Sequence, residues 1–292
     1  MKIYSIIIAY NPEIARLVDL CNAVLSTHSK VIIVDNTKES YIQYLAQIEG
    51  VQLIELNDNL GIAKAQNTGI QKAIASGAEA VVFFDQDSKV EEGFIENLTP
   101  NFTVGQPMIA SPVFYDEEKG FKFPSIKLNK FGLFTFFYPE TDDKPFPVDV
   151  VISSGSAATI AVFDKAGFMD ENYFIDFVDT EWSLRCRSVG IPIFTIPKAK
   201  MVHTIGNKSV NLYIMRVFIH SPIRTYYKVR NAFIFFNNKN VSLALGIKEI
   251  ITALVHNLVT IIIVKDKKIY FKHYFRAIVD GFMGIKGKKI MK

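Results

Sequence analysis

The chain has 292 residues, 49% of them hydrophobic, with two cysteines and a formal charge of +4. That is enough apolar sequence for a sizeable core, which excludes disorder; two cysteines, Cys21 and Cys186, exclude a disulfide framework and point to a reducing compartment. The charge is uneven: Lys265 to Lys292 carry nine Lys or Arg against Asp266 and Asp280, a net of +7, which leaves the rest at −3.

The first apolar run lies in "MKIYSIIIAYNP", where one lysine precedes it as in a secretory signal. It is β-branched, holds Tyr4 and ends at Asn11-Pro12 without a small-residue cleavage pattern, which fits a buried first strand. Further runs at Val31–Val34, Val51–Leu56 and Val81–Phe84 predict three more strands, and the segments between them have helical spacing. Pro12 suits the first turn of a helix, and Ile62, Ala65, Ala73 and Ile74 share a face of the next. Such alternation predicts a right-handedly wound parallel sheet with helices on both faces, which binds ligands beyond the carboxyl ends of its strands. No Gly-rich turn follows the first strand, so dinucleotide and P-loop sites are excluded.

The strand ends read "AYNP", "VDN", "LNDNLG" and "FDQDS". Asp85 and Asp87, two residues apart, point the same way while the chain stays extended. Two hard oxygen donors so placed suit Mg2+ or Mn2+ shared with a diphosphate, although a turn with two solvated aspartates would look the same.

Beyond residue 110 the pattern loosens. Phe121–Pro147 is an aromatic and proline-rich excursion, "VDVVISSGSAATI" a strand with a small-residue turn, "IDFVDTEWSLRCRSVG" a helix stopped by Gly190, and "IPIFTIPKAKMVHTIGN" one or two strands. Asp176, Asp179 and Glu181 are either general-base candidates or favourable charge at a helix start. The apolar run Ile251–Val264 is shorter than the ~20 residues of a spanning helix. With its basic tail it reads as a helix lying on an anionic membrane surface, the alternative being a core helix with a solvated end. Basic residues gathered there, and not around a stacking platform, argue against nucleic acid as a partner.

In order, "SIIIAYNP", "VIIVDN", "LNDNLGIAKAQNTGI" and "FFDQDS", then "SSGS", "FVDTEWSLR" and "VHTIG", resemble the inverting family 2 glycosyltransferases of the GT-A fold. The D-Q-D-S ending and the asparagine and glycine spacing from Asn59 to Gly69 are similar to its rhamnosyltransferase branch. The resemblance covers about residues 3–235 and implies an α/β fold, a GT-A, Rossmann-like, mostly parallel sheet in residues 1–235; the apolar helix and basic tail predict a helical, basic, membrane-associating appendage in 236–292. It implies a donor site in which Ala9, Tyr10, Asn11 and Asp35 meet the nucleoside, with Asn36 beside them, while Asn59, Gly61, Ala65, Asn67 and Gln86 shape the wall. Asp87 would be the principal metal ligand, Asp85 would serve ribose or metal, and His203 would be the third ligand. Asp179 would be the base, and Ser154, Gly155, Glu181 and Trp182 would meet the acceptor. Arg185 and Arg187 would contact phosphate or pair with the acidic cluster.

The activity the resemblance implies is transfer of L-rhamnose from dTDP-rhamnose to a lipid-linked saccharide during surface polysaccharide synthesis, and the apolar helix with its basic tail places the expected enzyme peripherally on the cytoplasmic face of the membrane. A UDP-sugar donor, a glycan or nucleotide-sugar binding module without turnover, and a homo-oligomer stay open. Phosphohydrolases of the haloacid dehalogenase type also use D-x-D, but after their first strand; here the motif ends the fourth.

Overall fold

The computed structural model describes residues 1–27, 29–116, 121–140, 144–202, 209–211 and 216–289. In β1 (Ile3–Ala9), Tyr4, Ile6 and Ile8 face one side of the sheet while Ile7 and Ala9 face the other, and all are buried because both faces are covered. β2 (Lys30–Asp35), β3 (Val51–Glu55) and β4 (Ala80–Asp85) run parallel to it in the order β4-β1-β2-β3. Their register pairs Ala9 with Asp35, Asp35 with Glu55 and Ile8 with Asp85, so the polar strand ends form one row.

On one face lies α1 (Ile14–Leu25), which buries Leu17, Leu20, Cys21 and Val24; it begins two residues after Pro12, which was expected inside its first turn. On the other lies α2 (Ile62–Ala75), with Ala63, Ala65, Ile70 and Ala73 against the sheet. The short β5 (Lys89–Val90) and α3 (Phe94–Leu98) lead to β6 (Ile109–Asp116) and β7 (Phe121–Lys122). The aromatic excursion is a hairpin, β8 (Ser125–Leu128) with β9 (Phe134–Phe137), followed by β10 (Phe146–Pro147) at the sheet edge.

β11 (Ala157–Thr159) runs antiparallel between β4 and β6 and leads into α4 (Ile160–Ala166) and then α5 (Val178–Ser188). Gly190 ends that helix as expected. β12 (Ile193–Val202) is a single strand parallel to β6, with a register shift between Ile196 and Lys200 around Pro197. The sheet order is thus β10-β12-β6-β11-β4-β1-β2-β3, mostly parallel, followed by the small pair β13 (Ser209–Asn211) and β14 (Arg216–Phe218).

Three helices close the chain: α6 (Pro222–Phe236), α7 (Leu243–Ile263) and α8 (Lys267–Phe282). Ser221 and Ser242 cap the first two, each accepting from a backbone N–H three residues on. α6 is shared: Ile234 and Phe235 join the sheet core, while Tyr226, Tyr227, Val229 and Phe233 form a second core with Ala277 of α8. The boundary expected after residue 235 falls in the last turn of this helix. α7 has 21 residues, longer than the apolar run in the sequence because the helix continues through Lys248 and Glu249. By length and composition it could cross a membrane, yet its Leu245, Ala253, His256, Asn257 and Thr260 are buried within the protein. Its opposite face exposes Leu243, Ile247, Ile251, Val255, Leu258 and Ile262.

Candidate active site

A cavity of about 950 Å3 opens beyond the carboxyl ends of β1, β2 and β4, where the winding of the sheet predicts it. Tyr10, Asn11, Asn59, Gly61, Asp85, Gln86 and Asp87 line it, seven of the residues the sequence assigns to donor and metal. Gln86 spends its amide on structure: its Oε1 accepts from Tyr10 N at 2.6 Å and its Nε2 donates to Tyr10 O at 3.3 Å, tying the end of β4 to the end of β1. Asn59 is similarly used. Its Oδ1 accepts from Asn36 Nδ2 and from Gly61 N, at 3.2 and 3.1 Å, while Asn36 Oδ1 accepts from Leu60 N at 2.8 Å. Gly61 has φ +89° and lies so close to Phe174 that a Cβ would be 2.6 Å from its carbonyl oxygen, so only glycine fits.

Asp35 is 1% exposed, with Oδ1 accepting from Thr37 N at 3.0 Å. Its Oδ2 is buried and has no partner among the described residues, an acceptor that a ligand N–H or O–H would satisfy. Ala9 is buried, and its carbonyl takes the Asn36 N–H at 2.7 Å.

Asp85 is the electrostatic centre. Burial, then the neighbouring carboxylates of Asp179 and Asp87, push its carboxyl up to about 7, against a lowering hydrogen bond from Ser154 and the charge of Arg224. A part-buried group of like charges with exposed Asp87 at its rim is a place for a cation, and the two carboxylates at the mouth of β4 offer hard oxygen donors for Mg2+ or Mn2+. Among the described residues, no three His, Cys, Asp or Glu side chains converge as a metal cage, and His203 lies outside the described residues.

Asp179 stands in the first turn of α5. The chain reaches it through Phe174, Asp176 and Phe177, three non-glycine residues with φ between 61° and 65°, a strained approach that needs external support. Asn231 of α6 supplies it, donating to the carbonyls of Tyr173, Ile175 and Asp176 at 2.8, 2.7 and 3.1 Å. Ser153 donates to Asp179 Oδ1 and accepts from Gln66 Nε2 at 2.8 Å. Burial raises the Asp179 pKa, which strengthens it as a base, and the Ser153 hydrogen bonds restrain that rise.

Other expected contacts lie elsewhere. Glu181 is 2% exposed and forms a bidentate pair with Arg185, at 2.9 Å to both Nε and NH2, with Asn238 adding a third bond. Arg185 also donates to the carbonyls of Ala166 and Phe168, so it is a brace and does not face phosphate; Arg187 pairs with Asp149. Trp182 donates to Gly167 O and stacks on Phe163 inside the core. The acceptor roles expected of Glu181 and Trp182 do not match this placement, because both side chains are already fully engaged.

Ser154 reaches Asp85 N and Ser88, and Gly155, at φ +78°, lies under Met201, where a Cβ would clash; both buttress β4 and do not face an acceptor. Ala65 is core, and Asn67 is 4% exposed, bonded to Met169 and Glu171; neither lines the cavity. Ser153, Arg224 and Asn231 are the residues that sequence reading passes over. The signal for the last was a polar "RN" inside the aromatic run "YYKVRNAFIFF".

Residues 5–166 match the model of glycosyl transferase family 2. Over 287 residues the chain is 43% identical to the dTDP-rhamnosyl transferase RfbF of Shigella flexneri, covering 98% of this chain and 97% of that protein. The chain belongs to glycosyl transferase family 2. It is also 23% identical to the low-salt glycan biosynthesis hexosyltransferase Agl10 of Haloferax volcanii, over 73% of this chain and 69% of that one. Solved structures share the fold at 14–15% identity. They are GalNAc-T7 with UDP, GalNAc and Mn2+ (TM-score 0.59, 98% of this chain, 56% of that one) and S. aureus TarS 1–349 with UDP-GlcNAc (TM-score 0.57, 98% and 82%). The family and its GT-A sheet agree with the reading of the strand-end motifs.

Proposed function

We propose that the protein transfers L-rhamnose from dTDP-rhamnose, with inversion, onto a lipid-linked saccharide during surface polysaccharide synthesis. The observation that carries this reading is the 43% identity, over nearly all of both chains, to a protein named as a dTDP-rhamnosyl transferase. The cavity at the strand ends, lined by Asp85 and Asp87, with the charge of Asp179 acting on Asp85 from beside it, is consistent with it.

In this reading the nucleoside lies against Tyr10 and Asn11, with the free oxygen of buried Asp35 available to a donor on the pyrimidine or ribose. Asp179 takes the proton of the acceptor hydroxyl as that oxygen bonds the anomeric carbon from the face opposite the leaving group. The bond from the anomeric carbon to the diphosphate oxygen breaks with its electron pair, and the nucleoside diphosphate departs. Asp85 and Asp87 would hold Mg2+ or Mn2+, which when bound supplies positive charge to the departing diphosphate. Metal dependence is part of the proposal, and so is His203 as a further ligand.

The enzyme works at the cytoplasmic face of the membrane as a peripheral protein, with the exposed stripe of α7 toward the lipid. Purified protein with divalent metal, a lipid-linked acceptor pool and either dTDP-rhamnose or UDP-hexoses tests the reading by product mass. A deoxyhexose increment from dTDP-rhamnose alone, lost on chelation and restored by metal, is expected. A hexose increment from UDP donors, or turnover that survives chelation, overturns the donor or the metal part respectively.

A further inference from the structure

The chain beyond α8 does not trail into solvent. Residues 284–289 form a strap whose Lys288 and Lys289 line the donor cavity, fixed at three backbone points: Gly287 N donates to Asn172 O at 2.7 Å, Gly287 O accepts from Arg230 NH1 at 2.6 Å, and Lys289 N donates to the Tyr227 hydroxyl at 2.8 Å. Arg230 is fully buried, and the hydrogen bonds described for it run to carbonyls of Asn172, Tyr173 and Gly287 and to Asn231 Oδ1, with its guanidinium over the Tyr226 and Tyr227 rings. A buried cation is costly, so its use here means that the position of the strap is specified.

The strap brings Lys288 into the cavity lining, where Arg224 of α6 also lies. Both cations now rest on carboxylates. Lys288 Nζ is 2.6 Å from Asp58 Oδ2 with both side chains about half exposed, and Arg224 reaches Asp176 at 3.1–3.3 Å. The solvent-exposed Lys288–Asp58 pair is weak and exchanges easily, whereas Asp176 is only 16% exposed and holds Arg224 more firmly. Lys289 is different: its ammonium lies 4.1 Å over the Tyr226 ring and 3.1 Å from His273 Nδ1, which commits it to the packing of the strap.

We propose that Lys288, held by the C-terminal strap, together with Arg224, forms a cationic wall for the diphosphate of the donor, exchanging Asp58 and Asp176 for phosphate oxygens. This rests on the donor reading above. Placement supports it: Lys288 and Arg224 line the same cavity as Asp85 and Asp87, together with Lys38 and Lys289, so cations stand opposite the carboxylates where an anionic diphosphate would enter. The tail that the sequence assigns to the membrane therefore has a second role at its far end, 230 residues from the Asp58 it touches.

The full chain is titrated with dTDP and with UDP, which carry the diphosphate, and with thymidine, which lacks it, by calorimetry and by competition for the weak ligand. Lys288→Ala is expected to weaken diphosphate binding at least tenfold and thymidine less than twofold, while Lys286→Ala, on the same strap but outside the cavity lining, leaves both unchanged. Unaltered diphosphate affinity in Lys288→Ala, or an equal loss for thymidine, overturns the proposal while leaving the donor reading intact. Wild-type protein that binds no nucleoside diphosphate overturns both.

Discussion

The Ser153 hydroxyl is hydrogen-bonded to Asp179 Oδ1 while accepting from Gln66 Nε2, so a residue of the small turn and a residue of α2 together orient the proposed base. Asp179→Asn keeps the shape and removes the basicity; transfer is expected to fall about 10²–10⁴-fold with dTDP affinity unchanged. Ser153→Ala acts through Asp179. The hydroxyl and backbone hydrogen bonds of Ser153 both lower the Asp179 pKa; the substitution removes the hydroxyl bond alone, which raises the pKa. Because the ionised form is the base, the acid limb of the kcat/KM profile should move to higher pH in Ser153→Ala. An unmoved limb would mean that Asp179 is not the group being titrated.

Asp85 is held at about 7 by burial and by the charges of Asp179 and Asp87, so its ionised form destabilises the metal-free fold at neutral pH. Asp85→Asn keeps the volume and removes the repulsion. Without metal, the variant should be more stable by about 1–3 kcal/mol, with Tm rising by roughly 2–4 °C per kcal/mol. Transfer should be lost at the same time. A variant that melts below the wild type in chelator would show that the carboxylate is structural.

His220 and His256 are both held down to about 4, chiefly by burial; the charges of Arg224 and Lys228 push His220 further down against the opposing Asp176, and Lys228 does the same to His256. Each Nδ1 is buried without a partner among the described residues. Folded-state values below the ordinary 6.5 mean that the unfolded chain binds more protons between pH 6.5 and about 4. The stability they contribute is therefore complete above 6.5 and lost as pH falls through that window. Urea titration should show a loss of about 1–3 kcal/mol between pH 7 and 5, which His220→Gln with His256→Gln flattens.

The donor side of the site was legible because each strand passes from apolar to polar at the same level of the sheet. Asp35 and Asp85 close such strands, and parallel register then puts them in one row. The acceptor side was less so. Asp179 and Glu181 are neighbours in "VDTEW", but two residues along a helix turn the side chain by about 200°, which carries Glu181 into the core and onto Arg185. Asn67 and Asn231 look like loop-wall or surface polar residues until their partners appear 102–104 and 55–58 residues away. No local pattern encodes a contact of that range. The positive φ of Phe174, Asp176 and Phe177 was hidden for a related reason: Phe carries no signal for it, and the strain is met by α6.

The exposed stripe of α7 recurs every three or four residues, from Leu243 to Ile262, so its apolar side chains share one side of the helix and the cationic Lys265, Lys267 and Lys268 follow at its end. A stripe one side chain deep suits a helix lying at the lipid interface, since the other side is occupied by the protein. Each cation adds about 1 kcal/mol near an anionic surface, and each inserted aliphatic side chain adds about as much again for half its full burial. Ile251→Glu, Val255→Glu and Leu258→Glu combined, all at positions about half exposed, should leave folding intact. They are expected to cut partitioning onto phosphatidylglycerol vesicles about 100-fold or more, as three lost contacts of that size require. High salt should weaken the wild type through the lysines alone, and less than the triple substitution does. If the triple variant sediments with vesicles as the wild type does, the stripe faces something other than lipid.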